Sequence, residues 1–189
     1  GKKLDVDAGL LIGEHGDYPY NARGQHLYPR KRFFDEAVAV MRRANRFFHE
    51  SVEVGRYVTL FYMVMDVSAK RLLYVNAGHV PPVLVRSNGQ VELLEEGGVP
   101  LGLFKAPRYS EGHATLEPGD VLALYTDGVV EPMNAAGEEF GRERLTQLLR
   151  HAGDASATEI CSGVMQEVRR FGVGASQDDR TLVVIKSMS

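Results

Sequence analysis

An α+β fold, with largely antiparallel sheets and helices laid over a sheet face, is what the residue pattern of this 189-residue chain predicts. Two observations carry it. β-Branched and aromatic runs fill the middle of the chain and follow one another through turns too short for a crossover helix, which makes them antiparallel neighbours. Two amphipathic stretches then come late in the chain, and their apolar stripes need a sheet to cover.

The elements follow in order. Gly9 to Gly13 reads as a short strand, and Glu14 to Gly24 has the Gly, Pro and Asn content of turns. Phe33, Phe34, Ala37, Val38, Met41, Ala44, Phe47 and Phe48 recur at three- and four-residue spacing and predict a helix from Arg30 to about Glu50, with the phenylalanines as core anchors. Strand-like runs then cover Tyr57 to Val67 and Arg71 to Asn76. Pro82 to Arg86 and Gln90 to Leu94 flank Ser87-Asn88-Gly89, a hairpin loop. Tyr109 to Leu116 alternates weakly. Glu117-Pro118-Gly119-Asp120 is a turn, and a buried strand runs on to Thr126. Gly141 to about His151 is a helix with Leu145, Leu148 and Leu149 inward. Ser156-Ala157-Thr158-Glu159 is a capping-box signature that opens a helix with Ile160, Val164, Val168 and Phe171 on its apolar face. Thr181 to Ile185 is the last strand.

Composition narrows the function classes. Hydrophobic residues at 44% and charged residues at 25% are those of a globular domain. With 22 basic against 25 acidic residues, no basic excess points to nucleic acid. No apolar run is long enough for a membrane span. The first residues lack the apolar core of a signal peptide. The chain begins at Gly1 rather than Met, which suits a piece of something longer. The single cysteine, Cys161, excludes an internal disulfide, fits a reducing cytoplasm, and reads as a structural thiol.

Two acidic spots share one design, an apolar strand that meets carboxylates at its edge. One is Leu124-Tyr125-Thr126-Asp127-Gly128; the other is Gln177-Asp178-Asp179-Arg180-Thr181, just before Leu182-Val183-Val184-Ile185. A strand end holds a carboxylate rigidly, and carboxylates from several such ends suit the hard cations Mg²⁺ and Mn²⁺. Asp-Gly and Asp-Asp are also ordinary turn residues, and spacing alone leaves both readings open. His79 in Asn76-Ala77-Gly78-His79 is a base or a ligand on one reading, and a hydrogen-bonded histidine at a tight turn on the plainer, preferred one. Arg30-Lys31-Arg32 and Arg42-Arg43 read as solvated helix charges.

The motifs in order resemble one family. Arg56-Tyr57-Val58-Thr59-Leu60-Phe61-Tyr62, Tyr74-Val75-Asn76-Ala77-Gly78-His79-Val80-Pro81-Pro82 and Pro100-Leu101-Gly102-Leu103 are followed by Leu116-Glu117-Pro118-Gly119-Asp120, Leu124 to Glu131 and Asp178-Asp179-Arg180-Thr181-Leu182. From about residue 43 to 186, the chain is similar to the SpoIIE-type branch of the metal-dependent protein phosphatases, the PPM or protein phosphatase 2C family. That resemblance implies a two-sheet antiparallel β-sandwich flanked by helices. It implies a pair of Mn²⁺ or Mg²⁺ ions that activate water to attack phosphoserine or phosphothreonine, as the family's metals do. It further implies a phosphorylated anti-anti-sigma (STAS-type) protein as substrate in sigma-factor partner switching. Asp127 and Asp178 match metal ligands of the family. Gly128 matches the turn glycine, Asp179 a supporting or turn residue, and Asn76, Gly78 and His79 a mainly structural signature.

The N-terminal part departs from the family. An early Asp-x-x-Gly-x-Gly strand, whose Asp bridges both metals, is missing from residues 1–40, and Glu14 in Leu11-Ile12-Gly13-Glu14-His15-Gly16 stands where that Asp would. The expectation is a domain over residues 43–189 that is incomplete at its N-terminus, preceded by an unassigned segment, with one weak ion site in place of two. An impaired phosphatase, a pseudophosphatase that binds a partner without turnover, and a module built on the N-terminal segment are the three readings, with a sensor or regulatory domain outside this chain.

Overall fold

The computed structural model describes residues 30–51, 56–66, 69–173 and 179–188. The chain divides into two compact units, residues 1–78 with 96–114, and residues 79–95 with 115–189.

In the first unit, α1 (Arg30–Ser51) is followed by β1 (Leu60–Asp66) and β2 (Arg71–Ala77), paired antiparallel from Leu60 opposite Ala77 to Asp66 opposite Arg71. The turn between them is set by the Asp66 carboxylate, which accepts the Ala69 N–H at 2.9 Å. Two short strands complete the sheet: β5 (Gly97–Gly98), parallel to the end of β2, and β6 (Gly112–Thr115), also on β2. The apolar core here joins Val38 and Met41 of α1 to Val75, Ala77 and Leu101. Ala44 and Phe48 pack partly against it. Phe47 does not: it is 63% exposed, contrary to its reading as a core anchor. Successive helical residues lie about 100° apart, and here Phe48 takes the core side while Phe47 turns to solvent; the two rings meet edge to face with centroids 5.8 Å apart. The side chains of Phe33, Phe34 and Ala37 lie outside the described residues, as do residues 9–24.

The second unit holds a sheet of order β4-β3-β7-β8, antiparallel throughout. β3 (Val83–Val85) and β4 (Val91–Leu93) form the hairpin expected around Ser87-Asn88-Gly89; β7 spans Val121–Tyr125 and β8 Leu182–Lys186. Alternate residues Val83, Val85, Val121, Ala123 and Tyr125 form one core with Leu145 and Leu149 of α3 (Gly141–Arg150) and Ile160, Val164 and Val168 of α4 (Ala157–Phe171). Of the inward residues read from helical spacing, Leu145, Leu149, Ile160, Val164 and Val168 are buried, while Leu148 and Phe171 pack only partly buried against the same core. The capping box of α4 is complete: Ser156 Oγ accepts from the Glu159 N–H at 3.3 Å, and the Glu159 carboxylate accepts the Ser156 N–H at 2.7 Å. Two elements went unread, the two-residue β5 and the one-turn helix α2 (Asp127–Val130). Both are too short to show a period.

Candidate functional site

β7 ends at Tyr125, and the chain turns at once into α2, so Asp127 is the first helical residue after a rigid, buried strand. Its Oδ1 accepts the Gly128 N–H at 2.9 Å, which fixes the carboxylate's orientation. Gly128 is buried. Strand pairing continues past Tyr125: the Thr126 N–H donates to the Thr181 carbonyl at 3.1 Å. The Thr126 hydroxyl then does two things. It donates to the Asp179 carbonyl and accepts the Thr181 N–H, each at 2.9 Å. The backbone on either side of Arg180 is thereby tied to the residue that precedes Asp127, although more than fifty positions separate them in the chain.

Asp179 itself is exposed, and it contributes its backbone carbonyl rather than its carboxylate to this latch. The next residue, Arg180, brings its guanidinium to Gly172 at the C-terminal end of α4, where a cation faces the negative end of the helix dipole. His79 is half-buried, hydrogen-bonded to the Tyr125 backbone and close enough to Asp127 to feel its charge. Burial holds its imidazole below the ordinary histidine value, against the opposing pull of Asp127 and the Tyr125 backbone. His79 is thus biased toward the neutral form at the edge of the Asp127 site.

Asn76 and Gly78 belong to the first unit. Asn76 is buried, and its N–H donates to the Glu96 carbonyl at 2.8 Å. Gly78 has φ of +70°, and a Cβ there would collide with the Pro100 ring. This is why Asn-Ala-Gly and Pro-Leu-Gly belong to one structural device: the turn after β2 closes only over a residue without a side chain.

Two further residues lie inside recognised motifs but were given no role of their own by the sequence. Thr126 is one. The other is Asp120, the last residue of Glu-Pro-Gly-Asp, which is 1% exposed. Its carboxylate accepts from Arg86 Nη1 at 2.7 Å and from the Ser87 and Glu117 N–H groups at 2.9 Å each. Arg86 also makes two bonds of 2.8 Å to Glu92 and one of 2.7 Å to the Thr115 carbonyl. An acid closing a Pro-Gly turn before an apolar strand is the signal that points to such a latch.

Asp178 and Glu14, the other expected ligands, lie outside the described residues. Among the described residues, no three His, Cys, Asp or Glu side chains converge in a way that would hold a metal ion. Asp127 alone is one hard oxygen donor, so the described set does not by itself fit a two-metal centre. No described helix is long and apolar enough to cross a membrane.

Comparison with known proteins places this geometry. The family profile of stage II sporulation protein E (SpoIIE) matches residues 33–187. The chain is 33% identical over 137 residues to protein IcfG of Synechocystis, covering 72% of this chain and 22% of that one. It is 26% identical over 148 residues to phosphoserine phosphatase RsbU of Bacillus subtilis, covering 78% and 44%. It therefore spans less than half the length of these relatives. Among solved structures, the RsbU and RsbW domains of Rv1364c from Mycobacterium tuberculosis align with a TM-score of 0.64 at 24% identity, over 81% of this chain and 41% of that one. The phosphatase domain of SpoIIE from Bacillus subtilis aligns with a TM-score of 0.57 at 18% identity, over 84% and 71%. These likenesses show the PP2C-like α+β fold with its antiparallel-rich sheets and helices. The chain belongs to the SpoIIE family of PP2C-type protein phosphatase domains.

Proposed function

We propose that this chain is a cytoplasmic, metal-dependent phosphatase domain acting on phosphoserine or phosphothreonine of a regulatory protein, of the anti-anti-sigma (STAS) type used in sigma-factor partner switching. Family membership and the relative named phosphoserine phosphatase RsbU support the reaction class. The observation that carries the reading is the Thr126 latch, which ties the segment following Asp178 to the strand end that presents Asp127. On this reading Asp127 and Asp178 would hold Mn²⁺ or Mg²⁺, with Glu14 at the position of the missing bridging acid. Such an ion, when bound, supplies charge neutralisation and activation of water. The chain's own part is to hold a carboxylate oriented by the Gly128 N–H, with a neutral-biased His79 beside it.

A second reading, a partner-binding pseudophosphatase, rests on the sequence: the Asp-x-x-Gly-x-Gly pattern is missing from residues 1–40. The N-terminal segment before residue 43 is proposed as unassigned in function, and a sensor region is proposed to lie elsewhere in a longer protein. The test is hydrolysis of p-nitrophenyl phosphate with and without Mn²⁺. Low turnover that Asp127→Asn abolishes supports an impaired enzyme. Binding of the phosphorylated partner without any turnover supports the pseudophosphatase. Robust turnover lost in both Asp127→Asn and Glu14→Gln would show that Glu14 completes the site and that the enzyme is not impaired.

A further inference from the structure

The loop after Leu101 shows apolar side chains to solvent although its backbone is fixed. Leu101 and Val58 exchange backbone hydrogen bonds of 2.8 and 2.9 Å. Asn45 of α1, 1% exposed, accepts the Gly102 N–H at 2.7 Å and donates to the Phe104 carbonyl at 2.9 Å. His49 Nδ1 lies 3.2 Å from the Gly102 carbonyl. Clamped in this way, the loop holds Leu103 at 42% and Phe104 at 54% exposure, and Lys105 and Ala106 after them are exposed too. A loose loop would be free to fold such side chains back onto the protein; this one is not.

Basic residues predominate around the loop, with Glu50 of α1, Glu96 and Glu111 as exposed acids farther along the chain. Lys105 and Arg108 are exposed on the loop side, and Arg42 and Arg46, which flank Asn45 on α1, are exposed as well. The chain as a whole carries a net charge of -3, so this basic rim is a local feature. We propose that Leu103 and Phe104 insert into the interface of an anionic lipid surface while Lys105, Arg108, Arg42 and Arg46 meet the headgroups. Shallow apolar insertion combined with a basic rim is the physical design of a peripheral membrane contact. A protein partner fits less well: a standard interface covers about 800 Å² per side and is depleted of Lys at its centre, whereas here two consecutive apolar residues run directly into Lys105. A second copy of the chain would bring the same positive rim and be repelled.

The experiment is co-sedimentation of the intact chain with vesicles of phosphatidylcholine alone and of an equal mixture of phosphatidylcholine and phosphatidylglycerol. Binding to the anionic vesicles only, released by added salt, is the expected result. Leu103→Ser with Phe104→Ser, and separately Lys105→Glu, should each weaken it by about tenfold. Met133→Ser, at a residue of the second unit as exposed as Phe104, should leave binding unchanged. An unaltered unfolding temperature certifies each variant, and if the double variant fails to fold, Lys105→Glu decides. Equal binding to both vesicles, binding that survives the loop variants, or no binding by the folded chain overturns the proposal; capture by an acidic protein without vesicle binding overturns it in favour of a protein partner.

Discussion

In the second unit β3 is buried along its whole length and β7 at every position but Leu124, while in the first unit β1 keeps all of Leu60 through Met65 only half-buried. Among the described residues, the difference lies in what covers each strand. β3 and β7 have two amphipathic helices on one face, and their residues at near-zero exposure form a contiguous core with α3 and α4. β1 is apolar at six consecutive positions, yet all six keep part of their surface in solvent. The strand end that presents Asp127 therefore sits in the better-packed unit.

Matched substitutions sharpen that contrast most strongly. Val164 is 2% exposed and Val64 is half-buried. Val164→Asp places an unpaired charge in the core and should cost more than about 4 kcal/mol, enough to unfold the unit. Val64→Asp can turn its carboxylate toward water and should cost about 1–2 kcal/mol. Urea unfolding of both variants decides the matter, since equal losses would mean that β1 is as deeply covered in solution as the α4 core.

The next effect tests the buried latch of the second unit. Arg86→Met leaves Asp120 buried beside two backbone N–H groups without its cation. Removing one partner of a buried pair costs about 3–5 kcal/mol, and the 16% exposure of the Arg86 side chain argues for the lower end. A fall in the urea midpoint with an unchanged slope is the expected reading. If Arg86→Met is neutral, the two N–H donors suffice for Asp120 and the arginine is an ornament of the surface.

Thr126→Val is smaller and bears directly on the site. It keeps the shape while removing the hydroxyl, which deprives the Thr181 N–H of its acceptor and costs about 1–3 kcal/mol. Mn²⁺ affinity measured by calorimetry should weaken in step, because the tie to the Asp178 segment is lost. A variant that loses stability but binds Mn²⁺ as before would confine Thr126 to a structural role.

The second unit was legible in the sequence because its signals are local. A capping box, a three-residue hairpin loop and two helices with apolar residues at three- and four-residue spacing are each contained within a short window, and each element lies where it was read. The latches were not legible, because Thr126 meets Asp179 and Arg86 meets Asp120 across dozens of residues, and no periodicity encodes such a pair. Phe47 shows the other limit. Two adjacent phenylalanines both fit a loose helical pattern, but they lie about 100° apart on the helix and Phe48 is the one that packs against the core. Asp127 was recognised through the motif around it; what the structure adds is the rigidity of β7 and the bond from Gly128. For Asp178 and Glu14 the reading rests on the sequence.

The smallest effect belongs to the N-terminus of α4 and is read through pH. Glu159 accepts the Ser156 N–H at 2.7 Å and the Ser156 hydroxyl at 2.8 Å. The backbone bond, then the hydroxyl bond, hold its carboxyl below the ordinary glutamate value of 4.5. A carboxyl whose folded value is depressed stabilises the fold when ionised, so its contribution is fully present above the unfolded value and is lost as pH falls through the folded one. The sign is therefore fixed: acid removes the benefit. Glu159→Gln keeps an acceptor oxygen but no charge at the first turn of the helix, where the dipole favours an anion. The unfolding temperature of the unaltered chain should exceed that of Glu159→Gln at neutral pH, and the gap should close as the pH drops below the ordinary glutamate range. Because the side chain stands in solvent, added salt should narrow the same gap. A gap that persists unchanged into acid would show that the capping box works through the shape of its hydrogen bonds and not through the charge of Glu159.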